Sequence, residues 1–163
     1  MTAEVKLTRR DLFLFLFYHM YFNPTGVLYI IVGLLALGGG IFYFATGNWR
    51  GVFFIVVALV YFVLMPLLLY IRAGRQLKQP IFEHPTYYAF EDEEFRVSQS
   101  GVGTTAASYD SLYKVVFFSD EIIIYVDGVH ANVLPLSSFH ADEDEVRGFF
   151  KAKIPAKKLK GIH

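Results

Sequence analysis

The sequence predicts an α+β membrane protein: a two-helix transmembrane hairpin, then a small antiparallel β-barrel closed by a C-terminal helix. Three observations carry this. Apolar residues make up 55% of the 163 residues, and the mean hydropathy is +0.41, above the usual share for a soluble domain. Two long stretches, 26–46 and 52–71, contain no charged residue. The charges that remain are segregated, although 15 basic and 15 acidic residues cancel to zero. Residues 1–80 are basic and residues 146–163 carry six bases and no acid. Between them, residues 81–145 hold thirteen acids against two bases, Arg96 and Lys114. Zero net charge removes the simplest electrostatic case for nucleic-acid binding, and no nucleic-acid partner is expected. The absence of cysteine removes disulfides, thiol nucleophiles and cysteine metal sites.

The first segment, residues 1–25, is expected to lie on the membrane as an interfacial amphipathic helix. Thr8 can cap it, and Asp11 stands at the third helical position, where a carboxylate meets free backbone N–H groups. Phe13, Phe15, Phe17, Tyr18, Tyr21 and Phe22 supply lipid-facing bulk, and His19 is an interfacial polar residue. Arg9-Arg10 followed by an apolar run has the outline of a twin-arginine export signal. The run is only 11 residues long, contains His19, is broken by Asn23-Pro24 and lacks a small-residue cleavage site. An export signal is therefore not the expectation.

Residues 26–46 and 52–71 are each about 30 Å long as helices, the thickness of a hydrocarbon core. In the second, 15 of 20 residues are Leu, Ile, Val or Phe. Each contributes roughly −0.3 to −0.6 kcal/mol to insertion near the helix centre, enough to absorb Pro66. Gly47-Asn48-Trp49-Arg50-Gly51 can only form a tight turn, so the two spans are antiparallel neighbours. Lys6, Arg9 and Arg10 precede the hairpin and Arg72, Arg75 and Lys78 follow it, with only Arg50 in the turn. The positive-inside rule then places both termini in the cytoplasm, at the inner membrane of a bacterial cell. Gly33, Ala36 and Gly40 in the first span suit close helix packing, either within the chain, which is favoured, or in a homo-oligomer. Neither span holds a charge, which argues against a transporter or channel.

Residues 72–85 form a linker in which the second helix runs on briefly and stops before Pro80. Residues 86–163 are expected to form the second domain. Short β-rich runs recur at 86–90, 95–99, 104–108, 113–118, 122–126 and 130–134, with Asp127-Gly128 a strong hairpin signal. A helix follows over 142–152. Four acids crowd its start and Arg147, Lys151 and Lys153 its end, matching the helix dipole. Val146, Phe149, Phe150 and Ile154 give it an apolar stripe.

This order of parts resembles the YcxB-like family of bacterial membrane proteins, over nearly the whole chain. The resemblance rests on Leu7-Thr8-Arg9-Arg10-Asp11, Tyr87-Tyr88-Ala89-Phe90, Ser108-Tyr109-Asp110-Ser111-Leu112-Tyr113-Lys114-Val115 and Val133-Leu134-Pro135-Leu136-Ser137-Ser138-Phe139. The family pattern usually has tryptophan where Tyr109 stands. The resemblance implies a C-terminal domain similar to a pleckstrin-homology (PH-like) barrel, and no known chemistry.

A search for catalytic or cofactor motifs is negative: there is no zinc spacing, P-loop or dinucleotide fingerprint. Gly101-Val102-Gly103 reads as a strand connection. Nothing in the sequence brings Ser111, Ser137, His130 and Asp110 together as a triad. No enzyme activity, metal or cofactor is expected. Phosphoinositide-binding PH domains use basic residues around the first hairpin. Here that hairpin is Glu91-Asp92-Glu93-Glu94, which repels anionic headgroups, so the fold alone does not transfer lipid binding. Lys151, Lys153, Lys157, Lys158 and Lys160 are the candidates for the membrane surface, or else for pairing with the domain's own acids. Glu91, Asp92, Glu93, Glu94, Asp120, Glu121 and Asp127, at hairpin tips, are the candidate docking face for a basic protein partner. The leading expectation is a non-enzymatic, membrane-anchored interaction or regulatory protein. The alternative is an immunity protein that neutralises a membrane-acting bacterial toxin.

Overall fold

The computed structural model describes residues 1–128 and 130–161; Val129 and the last two residues of the expected basic tail lie outside the described residues. The chain divides into two compact units. One combines residues 1–12 with 76–163, and the other is residues 13–75.

The second unit is the hairpin. Among the described residues two helices are long and apolar enough to cross a membrane: α2 (Pro24–Ala45) and a helix over Gly51–Gln76. Asn23 caps α2 by accepting from the Gly26 N–H at 2.6 Å, and Pro24 occupies the first turn, where its missing N–H costs nothing. α2 ends on Gly47 at φ +80°, with Asn48 N–H donating to the Tyr43 carbonyl and Gly47 N–H to Phe44, a Schellman stop.

The second crossing consists of α3 (Gly51–Leu59), a π-turn over Val60–Leu64 and α4 (Met65–Gln76). The π-turn lies against Pro66. Met65 N–H donates to the Val60 carbonyl, five residues back, and Pro66 has no N–H to offer Tyr61. The Tyr61 carbonyl therefore loses both helical donors, and the Tyr21 hydroxyl takes their place at 2.8 Å. In hydrocarbon, which offers no water, this is the kind of partner an irregular helix requires.

The two crossings meet along a glycine seam. The buried residues of α2 are Gly26, Gly33 and Gly40, seven apart. A seven-residue repeat keeps one face of a helix turned to its neighbour. A Cβ on Gly33 would lie 2.9 Å from the Phe62 ring, and one on Gly40 would lie 3.0 Å from the Gly51 carbonyl oxygen. Of the expected trio, Gly33 and Gly40 are in the seam and Ala36 is only half-buried; Gly26, the third buried residue of α2, faces the end of α1 (Arg9–Tyr21) instead, where a Cβ would lie 2.8 Å from the Tyr21 carbonyl oxygen. Gly33 and Gly40 pack against the second crossing of the same chain. The outside of the hairpin is apolar, with Leu35 71% and Phe42 67% exposed.

Helix α1 (Arg9–Tyr21) has no apolar stripe, which corrects the expected amphipathic segment. Apolar side chains surround it, and Phe13 packs on Tyr70 and Tyr21 on Tyr61. Tyr21 is buried, not lipid-facing. The predicted cap is present: Thr8 N–H donates to the Asp11 carboxylate at 2.7 Å, and Asp11 N–H to the Thr8 hydroxyl at 3.4 Å.

The other unit holds two four-stranded sheets. The first has the order β1-β2-β3-β4, all antiparallel: β1 (Thr2–Val5), β2 (Thr86–Phe90), β3 (Glu94–Gln99), β4 (Gly103–Ser108). The second has the order β7-β6-β5-β8: β5 (Lys114–Phe118), β6 (Glu121–Tyr125), β7 (Ala131–Pro135), β8 (Leu159–Lys160), with β8 parallel to β5. The expected six strands are present within a residue or two. β1 and β8 were not expected. The expected closed barrel is also corrected: the sheets remain separate, joined in pairing among the described residues only by the bridge Ala3–Phe139.

Because β1 precedes the hairpin and β2 follows it, the hairpin is an insertion into this unit. Helix α5 (Glu143–Lys153) packs on the core through Val146 and Phe150, both 0% exposed, and Ile154 follows at its end. Phe150 bridges the sheets, with ring centroids 5.5 Å from Phe90 and 5.9 Å from Phe117. Phe149, expected in the same stripe, is only partly buried. β6 is buried on both faces, as its uninterrupted Ile122-Ile123-Ile124 run requires.

Candidate functional site

The β2–β3 turn carries Glu91, Asp92 and Glu93, and Glu94 opens β3. Cations from two elements answer these acids. Arg96, on the same strand as Glu94, lies 3.1 Å from Glu94 and 3.4 Å from Glu91. Lys153, at the end of α5, lies 2.9 Å from the Asp92 carboxylate. That contact, a hydrogen bond reinforced by charge, holds the exposed Asp92 carboxyl below the usual range.

Tyr109 supports the turn from below. Its hydroxyl donates to the Glu91 carbonyl at 2.9 Å, and its ring sits between Phe95 and Phe149. Burial, followed by the nearby Asp92 and Glu91 charges, pushes the phenol up to about 12. The turn borders an open pocket of about 820 Å³ that also reaches Met1, Ser108 and Phe149. Beside it runs β4, whose residues are nearly all exposed and whose sequence, Gly-Thr-Thr-Ala-Ala-Ser, contains no charge and no proline. Edge strands are commonly blunted by such residues.

The remaining acids lie elsewhere. Asp120 is held by the Arg10 fork at 2.8 and 3.2 Å. Burial raises its carboxyl, but Ser119, its own backbone N–H and Arg10 together outweigh that and hold it below the usual range. Asp127 faces His130 at 2.7 Å. Glu121 is no surface residue: it is 1% exposed, and neither carboxyl oxygen has a hydrogen-bond partner. Its place in the expected docking face is therefore withdrawn, because the strand begins at Glu121 and its side chain turns inward. The seven expected acids belong to three separate turns, and in each turn at least one acid faces a cation or a histidine.

The basic tail is only partly available to a membrane. Lys153 is committed to Asp92, and the Lys158 amine donates to the Asp110 carbonyl at 2.7 Å. Lys160 lies in β8, near enough that it adds to burial in lowering the Lys114 amine. Lys151 and Lys157 are exposed. Among the described residues no group of acids and histidines is arranged to hold a metal ion.

Sequence reasoning missed Arg10 and Tyr109 as partners of these turns, whereas pairing of Lys153 with the domain's own acids was one of its two readings. Arg10 and Asp120 are 110 residues apart, and no local pattern announces such a pair. Arg96 could have been read, since residues two apart on a strand share a face.

Residues 90–151, from the end of β2 into α5, match the family described as YcxB-like protein. The matched stretch includes the acidic turn, Tyr109, β4 and the buried Glu121. No curated protein and no solved structure matches the chain.

Proposed function

We propose that this protein, whose residues 90–151 are YcxB-like, is a non-enzymatic, membrane-anchored interaction protein. Its folded unit presents the acidic β2–β3 turn to a basic segment of a protein partner. The supporting observation is the turn itself. Four acids stand against two cations, on a support stiffened by Tyr109, beside an open pocket and an uncharged strand edge. An extended basic segment could pair its backbone with β4 and set its charges at the turn. Two spans return the chain to the side it left, and this agrees with β1 and β2 sharing one sheet. Together with the flanking bases Lys6, Arg9, Arg10, Arg72, Arg75 and Lys78, it supports a cytoplasmic domain at the bacterial inner membrane. The PH-like reading belongs to the same proposal, in an open two-sheet form.

The test is cross-linking in native membranes followed by mass spectrometry, with and without joint replacement of Glu91, Asp92, Glu93 and Glu94 by serine. Capture of a partner should weaken in the variant, most at low ionic strength, because rim charges act on association and are screened by salt. A partner whose capture ignores both the substitution and salt would move the docking surface elsewhere.

A further inference from the structure

Glu121 is the one described side chain whose buried polar atoms lack a partner. It opens β6, with uncharged Phe118 of β5 and Pro135 of β7 as its register neighbours. Pro135 has no N–H to give. The charged groups that bear on it are Asp11 and Arg10, from the first turn of α1, and the adjoining Asp120. None is hydrogen-bonded to Glu121. Both terminal nitrogens of Arg10 engage Asp120, and Asp11 accepts the Thr8 N–H in the cap of α1.

With Glu121 ionised, three carboxylates would share one guanidinium, and one of the three would be buried without a hydrogen bond. A buried charge in that position is expelled or neutralised. Neutralisation requires only a proton from water. Expulsion requires one of the covering elements to move. β5 and β7 are locked in ladders on both sides of β6. The first turn of α1 is held to the β5–β6 turn by an exposed ion pair, Arg10–Asp120, which is a weak tie. Only residues 6–8 separate α1 from β1, and they provide the pivot.

We propose that Glu121 is a proton-operated latch: its neutral carboxyl lets the first turn of α1 rest against the β5–β6 turn, and its ionised carboxylate displaces that turn to reach water. The cost of burial, with Asp11 and Asp120 adding and Arg10 subtracting, places the carboxyl's titration at about 8, within reach of physiological pH. α1 is also the covalent route from β1 into the hairpin, so the displaced segment is one of the two places where the chain passes between the units.

The chain has no cysteine, which permits paired spin labels on the full-length protein in zwitterionic phospholipid nanodiscs. Arg9→Cys in the first turn of α1 and Ser137→Cys beside β7 are both exposed positions. The latch predicts one distance at pH 6 and a second, separate population at pH 9, with a midpoint within about one unit of 8. In the Glu121→Gln background the pH 6 distance should persist throughout, and Glu121→Leu gives the same locked state if the glutamine variant folds poorly. An unchanged distance distribution between pH 6 and 9 in the labelled parent would overturn the proposal. So would the same transition surviving in either variant, which would assign it to another group.

Discussion

The two units solve the same problem in opposite ways. In the sheet unit the large side chains are inside: Phe90, Phe95, Phe150 and Ile122 are almost without exposure. In the hairpin the large side chains face outward and the glycines are inside, with Gly33 and Gly40 in the seam, Gly26 against the end of α1, and Leu35 and Phe42 on the surface. Water drives the first arrangement, since each buried side chain of this size gains about 1.5–3 kcal/mol. Between helices already in hydrocarbon that gain disappears, and close backbone approach through small residues takes over. The same residue type therefore has opposite value in the two units.

Removing residues 1–7 should have the largest effect. It deletes β1 and strips β2 of its edge partner, and the sheet unit should lose cooperative thermal unfolding while the hairpin retains its helical circular dichroism. Equal loss in both would deny that they are separate units. Phe150→Ala should destabilise the sheet unit by ~3–5 kcal/mol, as for other fully buried aromatics. A loss under about 1 kcal/mol in chemical denaturation would mean that α5 does not close the core.

Glu121 sharpens the comparison, because it puts a polar group where the sheet unit wants an apolar one. Its carboxyl titrates at about 8 when folded against 4.5 ordinarily. The folded state thus holds a proton that the unfolded chain has released. The stability from this group is complete below about 4.5 and is lost as pH rises through about 8, at up to roughly 1.4 kcal/mol per unit. Glu121→Gln should flatten that slope in denaturation curves taken between pH 5 and 9.

In the hairpin, Gly51→Ala would set a Cβ 2.5 Å from the Gly40 carbonyl oxygen, and should cost ~1–3 kcal/mol as an overpacked contact. A Cβ on Gly39 meets nothing within 4 Å, so Gly39→Ala should leave helix association unchanged. A small effect is expected for Tyr21→Phe. It deprives the Tyr61 carbonyl of its donor, worth about 0.6 kcal/mol between membrane helices.

The hairpin was legible because its signal is composition over twenty residues, and so was the α1 cap, because Thr8 and Asp11 stand three apart. The inner strands were legible from their β-rich runs and turns. β1 and β8 were not. Four and two residues carry too little pattern, and their partners lie about 80 and 40 residues away. The seam was half-read: four-residue spacing drew attention to Ala36 and Gly40, while the seven-residue spacing of Gly26, Gly33 and Gly40 identifies the buried face. Glu121 misled because an acid beside Ser119-Asp120 resembles a solvated tip. Its burial comes from elements distant in sequence, α1 among them.

The central claim is that an apolar two-helix hairpin is inserted into a unit assembled from both of its flanks. Single cysteines at Thr2, Asn48 and Ser137 in intact membrane vesicles, tested with an impermeant thiol reagent, examine it directly. Thr2→Cys and Ser137→Cys should label from one side and Asn48→Cys from the other. Labelling of Asn48→Cys from the same side as Ser137→Cys would contradict the hairpin, and opposite sides for Thr2→Cys and Ser137→Cys would contradict the shared sheet.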